Sequence, residues 1–374
     1  MKTCGITAEY NPFHNGHAYH IKKSRELTGC DAVIAVMSGN FVQRGEPALI
    51  DKWKRAEAAI RGGADIVIEL PFLSSVQSAS VFAAKSVEYL KMAKADWISF
   101  GSECGNLENL QDIADTSVNP DHIKMLLDEG MSYPRAYSLL TRQMMPNDLL
   151  AVSYLKEMKN TGITPVIVQR TSEYLSEEMH PYASAAAVRK AVSKGADISH
   201  ATPMAETINN SFCVFPEMFY PYLRTLLLTE TRQQLQRYFL NAEGIEKVLT
   251  ENAMHESSWE GFLNACTSYR YTASRIRRTC LQIMCHVTRD EAGQIASEPA
   301  VLRILALNDT GRKWLKERKT EDPDFPAAAR FAELPEHRRE AEYRAAMLYA
   351  SVLPEEQREQ VIKKEIRGSL YITD

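Results

Sequence analysis

The chain has 374 residues, 45% of them hydrophobic and 25% charged, with a formal net charge of −4. That is the composition of an ordinary globular protein, long enough for two or three domains with a sizeable core. The acidic balance argues against a generally basic nucleic-acid binder, so any such surface must come from local clustering of arginines.

No apolar run approaches the roughly 20 residues that a transmembrane helix needs. The start, Met1-Lys2-Thr3-Cys4-Gly5, leads directly into a strand-like run instead of a signal peptide. A cytoplasmic protein without membrane association is expected. The seven cysteines are scattered, with no C-x-x-C, which argues against a disulfide framework. Cys280, Cys285 and His286 do not have a standard zinc spacing, and buried thiols on a helix are the expectation there.

In chain order, residues 3–10 read as a buried strand. A helix then starts at His14 or Asn15 and runs to about Thr28, where Gly29 closes it. Ala32-Val33-Ile34-Ala35-Val36-Met37 is a continuous apolar run, as in a strand covered on both faces. A helix over 51–61 follows, with Asp51 as N-cap and Gly62-Gly63 as the stop. Asp65–Leu70 is the next strand, ended by Pro71; Ser75 to Ala93 has helical spacing. Trp97–Phe100 and Thr164–Val168 are two more strands, separated by helical segments over 107–158 and followed by a helix over 184–194. Strands alternating with helices imply an α/β parallel sheet with right-handed crossovers. Ligands bind such sheets at the carboxyl ends of the strands, which points to segments 9–17, 38–47, 101–104 and 170–184.

From about residue 200 the pattern becomes helical, with stretches at Tyr220–Tyr238, Gly244–Glu251, Trp259–Cys266, Ser274–His286, Ala300–Leu307 and Glu336–Leu353. The segment 197–203 divides a first domain, 1–199, from a mostly helical C-terminal domain, 200–374.

Chemistry concentrates in a few segments. His14-Asn15-Gly16-His17 has the form His-x-Gly-His, after the first strand and at the start of the first helix. A helix N-terminus is a ready phosphate site, and an imidazole can donate to a phosphate oxygen and carry charge while doing so. Gly16 leaves room for a nucleotide to approach the backbone. The two histidines are therefore candidate catalytic groups, stabilising charge at an α-phosphate. Ser184-Ala185-Ala186-Ala187-Val188-Arg189 has the form Ser-x-x-x-aliphatic-Arg at a helix start. Ser38 to Pro47 leaves the second strand and overhangs the same crevice, with Gly39 and Gly45 allowing unusual backbone angles. Phe100-Gly101-Ser102-Glu103 suits a loop packed against a base or ribose. Thr267 to Arg278 holds Arg270, Arg275, Arg277 and Arg278, two tyrosines and no acid, a pattern that suits RNA phosphates and unpaired bases. The basic cluster at 311–319, around Trp314, reads as a solvated helix face with a buried aromatic.

Together these segments resemble the tRNA(Met) cytidine acetate ligase family, a branch of the His-x-Gly-His nucleotidyltransferases. The resemblance is carried by Glu9 to His17, Ser38 to Pro47, Asp65 to Phe72, Pro146-Asn147-Asp148-Leu149-Leu150, Ala183 to Arg189 and Arg270-Tyr271-Thr272. It implies a Rossmann-like nucleotidyltransferase sheet followed by a helical half that holds tRNA. It also implies a two-step reaction: ATP and acetate give acetyladenylate and pyrophosphate, and the wobble cytidine of elongator tRNA(Met) then takes the acetyl group. The implied ATP site comprises Thr7, Ala8, Glu9, Tyr10, Asn11, Pro12, Phe13, His14, Asn15, Gly16, His17, Ala18, Tyr19 and His20, with Gly101, Asn147, Arg170, Ser184 and Arg189. Mg²⁺ is expected on the triphosphate, tRNA and acetate are the expected partners, and neither a protein metal site nor a protein partner is expected. Tyr269 stands where the family tends to carry another basic residue. Two other readings stay open on the residues: an adenylyltransferase acting on a phosphorylated small molecule, and an RNA-binding protein on a non-catalytic scaffold.

Overall fold

The computed structural model describes residues 1–116, 119–131, 133–140, 144–170 and 180–373. Its centre is a sheet whose first strand, β1 (Thr3–Ala8), lies in the middle. β2 (Ala32–Ser38) and β3 (Ile66–Leu70) pair in parallel on one side of it; β4 (Trp97–Ser102) and β5 (Thr164–Gln169) pair in parallel on the other. Every residue of β2 and β3 is buried, which is why they read as unbroken apolar runs.

The first helix spans Asn15–Thr28 and ends at Gly29 in the left-handed region, φ 61°. The second spans Lys52–Arg61, with the Asp51 carboxylate accepting from the amides of Trp53 and Lys54. Both match the sequence expectation. The segment expected as one helix from Ser75 to Ala93 is divided instead. A short turn, Phe72–Ser75, stops at Val76, and Ser78 caps a new helix, Ala79–Met92. Tyr220–Tyr238 breaks likewise, because Thr231 and Gln234 form a capping box between Tyr220–Thr229 and Arg232–Leu235.

The second half of the chain is largely helical, but it also returns to the sheet. The apolar stretch at 300–307, expected as a helix, is strand β6 (Leu302–Leu307), antiparallel to β3. Two short strands, β7 (Ala327–Ala328) and β8 (Leu370–Tyr371), pair in parallel with β6. The core of the helical half also reaches forward: Phe41, Phe72 and Val76 are packed in one cluster with Val214, Phe219, Leu223, Ile276 and Tyr349. The ring of Phe41 meets those of Phe72, Phe219 and Tyr349 edge-on. The loop that follows β2 is thereby clamped between sheet and helices. Among the described residues no helix is long and apolar enough to cross a membrane.

Candidate active site

The strand order runs β5-β4-β1-β2-β3, so successive connections leave β1 in one direction and β4 in the other. A reversal of this kind opens a crevice outside the carboxyl ends of the two strands. The residues expected at the nucleotide gather at that crevice. The segment after β1 carries His14 and His17, Gly101 lies near the end of β4, and Arg170 follows β5.

His14 is the N-cap of the first helix. Its Nδ1 accepts from the amide of Gly16 at 3.0 Å, and Nδ1 of His17 accepts from the amide of His14 at 3.2 Å. The rings stack with centroids 3.7 Å apart. Because both Nδ1 atoms accept, the proton of each neutral ring is on Nε2. Among the described residues no hydrogen bond occupies either Nε2, so two N–H donors stand at a helix N-terminus. His20 continues the row, its Nε2 3.0 Å from the Ser99 hydroxyl.

Burial, reinforced by the Arg170 and Arg189 guanidiniums, pushes the His14 pKa down to about 3. Burial also places His17 well below its usual range, helped by the charges of His14 and Arg170. His20 is lowered to about 4, by burial first and Arg170 second. His14 and His17 are therefore neutral donors at neutral pH, where the sequence suggested imidazoles able to carry charge. The fixed positive charge comes from the two arginines and the helix dipole.

Gly16 also has a more specific reason than room for a nucleotide. A Cβ there would fall 2.8 Å from Cε1 and 3.0 Å from Nδ1 of His14, so glycine makes space for the imidazole itself. Gly45, at φ 77°, does need the left-handed region, whereas Gly39 is small because the Glu69 carboxylate lies 2.7 Å from where its Cβ would be.

Other residues of the first segment contact the protein itself. Tyr10 is buried edge-on to Phe13 and His17. The Asn11 side chain accepts from the amide of Leu49 at 2.7 Å, and its carbonyl accepts from Arg189 Nη1 at 2.8 Å. Pro12 and Phe13 are buried, and the Phe13 carbonyl accepts from the Thr202 hydroxyl at 2.6 Å. Asn15 Nδ2 donates to the carbonyls of Pro181 and His200, both at 2.9 Å, fastening the helix start to the later segment. Thr7, Ala8, Ala18 and Tyr19 are half-buried along the same edge, with Tyr19 edge-on to Tyr182. The Glu9 carboxylate accepts from the amide of Gln43 at 3.0 Å, and burial raises its pKa against the opposing pull of Arg44 and Arg189.

The stem of Arg170 lies over Gly101, its Cγ 3.4 Å from where a Cβ would be. Asn147 Nδ2 donates to the Glu103 carboxylate. Asp148 accepts from the Ser102 hydroxyl at 2.5 Å and from the amides of Glu103 and Cys104, which fixes the loop after β4. Ser184 caps helix Ala185–Ser193 by accepting from the amide of Ala187 at 3.1 Å. The segment 171–179, part of the crevice expected from the sequence, lies outside the described residues.

The arginine-rich segment opens helix Ala273–Met284 behind the Thr272 cap. It contains no acid, but acids come to it from elsewhere. Arg270 and Arg275 reach Glu243 at 3.7 and 3.1 Å, and both lie over the Tyr271 ring. Arg277 pairs with Glu46 at 2.8 Å. Arg278 has no acidic partner among the described residues, and burial together with Arg275 lowers its pKa to about 10. The Arg135 guanidinium sits 4.6 Å above the exposed ring of Tyr269. In the other basic cluster Trp314 is buried edge-on to Phe325 and Arg318 is buried beside it, paired with Glu321, while Arg312, Lys313, Lys316 and Lys319 are exposed. Glu46 and Asp148 were not singled out by sequence reasoning, because their roles arise from contacts distant in the chain.

The fold, the row of histidines at the switch point and the flanking arginines define a nucleotidyltransferase, and the chain belongs to the HIGH Nucleotidyl Transferase family, whose profile matches residues 1–365. Its relatives narrow this to the tRNA(Met) cytidine acetate ligase family. The protein of that name from Geobacillus sp. (strain WCH70) is 35% identical, over 98% of both chains. The apo crystal structure of Thermotoga maritima TmcAL is similar over the full length of both chains, at 27% identity and a TM-score of 0.89. The form of that protein bound with alpha-thio ATP is similar at 28% identity and a TM-score of 0.87, again over the full length of both.

Proposed function

We propose that the chain is an ATP-dependent ligase that forms acetyladenylate and transfers the acetyl group to the wobble cytidine of elongator tRNA(Met), giving N4-acetylcytidine. The observation that carries the first step is the pair of imidazoles whose Nδ1 atoms accept backbone amides, leaving their Nε2–H groups as donors. Attack of a carboxylate on the α-phosphorus builds charge on the non-bridging oxygens and on the departing pyrophosphate. Positioned donors and cations lower that barrier, and no protein nucleophile is required. In this reading His14 and His17 donate to the α-phosphate. Arg170 and Arg189 neutralise the triphosphate, and the amides behind the Ser184 cap add donors. Mg²⁺ would be carried on the triphosphate, since among the described residues no group of three His, Cys, Asp or Glu gathers to hold a metal ion.

The second step requires RNA to reach the same crevice. Support comes from the names of the relatives and from the arginines of 267–278, whose helix is packed against the loop that leaves β2. We take the first domain, 1–199, to carry ATP and the helical part, 200–374, to hold most of the tRNA. Acetate-dependent exchange of labelled pyrophosphate into ATP tests the reading, and exchange with acetate alone is expected. Exchange that requires a phosphorylated acceptor would overturn it in favour of a small-molecule adenylyltransferase. No exchange under either condition would favour a non-catalytic RNA binder.

A further inference from the structure

Glu46 has no place in the adenylation chemistry above, yet it joins the two halves of the proposed reaction. Its Oε1 lies 2.8 Å from Nη1 of Arg277, in the arginine-rich helix. Its Oε2 lies 3.6 Å from Nη2 of Arg189, whose Nη1 donates to the Asn11 carbonyl beside the histidines. The Glu46 backbone is held in place. Its own carbonyl accepts from the amide of Val42 at 2.9 Å, and the neighbouring amide of Gln43 is fixed by Glu9. Gly45 presses against the helix so closely that a Cβ would fall 2.6 Å from the amide nitrogen of Arg278. The Arg277 guanidinium is only partly satisfied, because its Nε is buried without a hydrogen-bond partner among the described residues.

One carboxylate shared by two arginines makes their fates interdependent. We infer that Glu46 is a positioning residue that sets the order of the two steps, an inference that rests on the ligase reading. When a triphosphate draws Arg189 toward itself, Glu46 is left to Arg277 and holds it more firmly, away from RNA phosphate. When pyrophosphate leaves, Arg189 returns to share Glu46, as in the structure, and the weakened hold on Arg277 lets it yield more readily to RNA phosphate. ATP and tRNA therefore oppose each other's binding, and the opposition is reciprocal. The effect disfavours tRNA seating while ATP is bound and relaxes once the adenylate has formed and pyrophosphate has left.

The test measures the dissociation constant of a non-hydrolysable ATP analogue with and without saturating tRNA, in the absence of acetate. In the wild-type chain tRNA is expected to weaken analogue binding about fivefold, the lower end of ordinary allosteric coupling, because the Glu46 pairs are partly solvated. In Glu46→Gln the ratio is expected to fall to about one. Arg277→Gln, a second variant, should remove the same coupling from the other side, with thermal melting confirming that both fold. A merely structural role would shift both dissociation constants and leave their ratio unchanged. An unchanged ratio in both variants, or tRNA binding that does not affect the analogue in the wild type, overturns the coupling and leaves the ligase reading intact. No tRNA binding to the wild type at all overturns the RNA reading of 267–278 and the coupling with it. Loss of acetate-dependent exchange, assayed separately, overturns the ligase reading itself.

Discussion

One methyl group at position 16 pits the helix against the site. Alanine is the better helix former by about 1 kcal/mol, so helix propensity alone would favour Gly16→Ala. The new Cβ, however, would lie 2.8 Å from the His14 ring, whose Nδ1 is already held by the amide of residue 16. The imidazole must swing away, and its Nε2–H goes with it. Gly16→Ala is therefore expected to melt within a few degrees of the wild type while losing pyrophosphate exchange by on the order of a hundredfold, the usual cost of a misplacement near 1 Å. Full activity in that variant would show that the His14 position is unimportant. The same rings set the pH behaviour. With His14 lowered to about 3 and His20 to about 4, the folded chain binds fewer protons than the unfolded chain between those values and the ordinary 6.5. The stability they contribute is thus fully present above pH 6.5 and is lost as the pH falls toward the folded values. Since the proposed donors are neutral, exchange should stay flat from about pH 6.5 to about pH 8 in a pH–rate profile. A decline through that window with a single histidine-like pKa would mean that a charged imidazole is required.

At the scale of elements, what could be read from the sequence follows from where each signal resides. The first helix was legible because its cap, its start and the closing Gly29 are local features. The buried strands β2 and β3 were legible as short apolar runs bounded by turns. The same logic misled at 300–307, since a buried strand and a buried helix segment both give an unbroken apolar run. Arg303, inside that run, is not on a helix face. It lies instead in the sheet, 2.8 Å from Glu69 and 2.6 Å from Glu365. The breaks at Val76 and Glu230 were hidden because a serine or threonine inside a periodic stretch becomes a cap only when the chain turns there. The His-x-Gly-His site was legible from local order along the chain. The roles proposed for Arg170 and Arg189 rest on the family resemblance, and Glu46 became visible only when three distant segments were brought together.

Across the whole molecule, the C-terminal helix Glu355–Ile366 is tied to the second helix and to β6 through its last turn. Its Glu365 enters a fully buried cluster in which Lys52, from the second helix, lies 2.6 Å from Glu69 and 2.9 Å from Glu365, and Arg303 bonds both acids. Such a cluster does little for net stability, because desolvation offsets the attraction between its charges; removing one member is costly because a buried charge is left unpaired. Glu365→Ala leaves Lys52 and Arg303 to share Glu69, and is expected to destabilise the chain by about 3–5 kcal/mol in denaturant unfolding. Glu359→Ala on the same helix removes an exposed pair with Lys363, and no measurable change is expected. The damage should also reach the site, because Glu69 packs directly under Gly39, in the loop that carries Glu46. Nucleotide affinity in Glu365→Ala should therefore weaken below the denaturation midpoint, while Glu359→Ala binds as the wild type does. Equal behaviour of the two variants would mean that the buried cluster is dispensable, and that the C-terminal helix covers the sheet without fixing the loop above it.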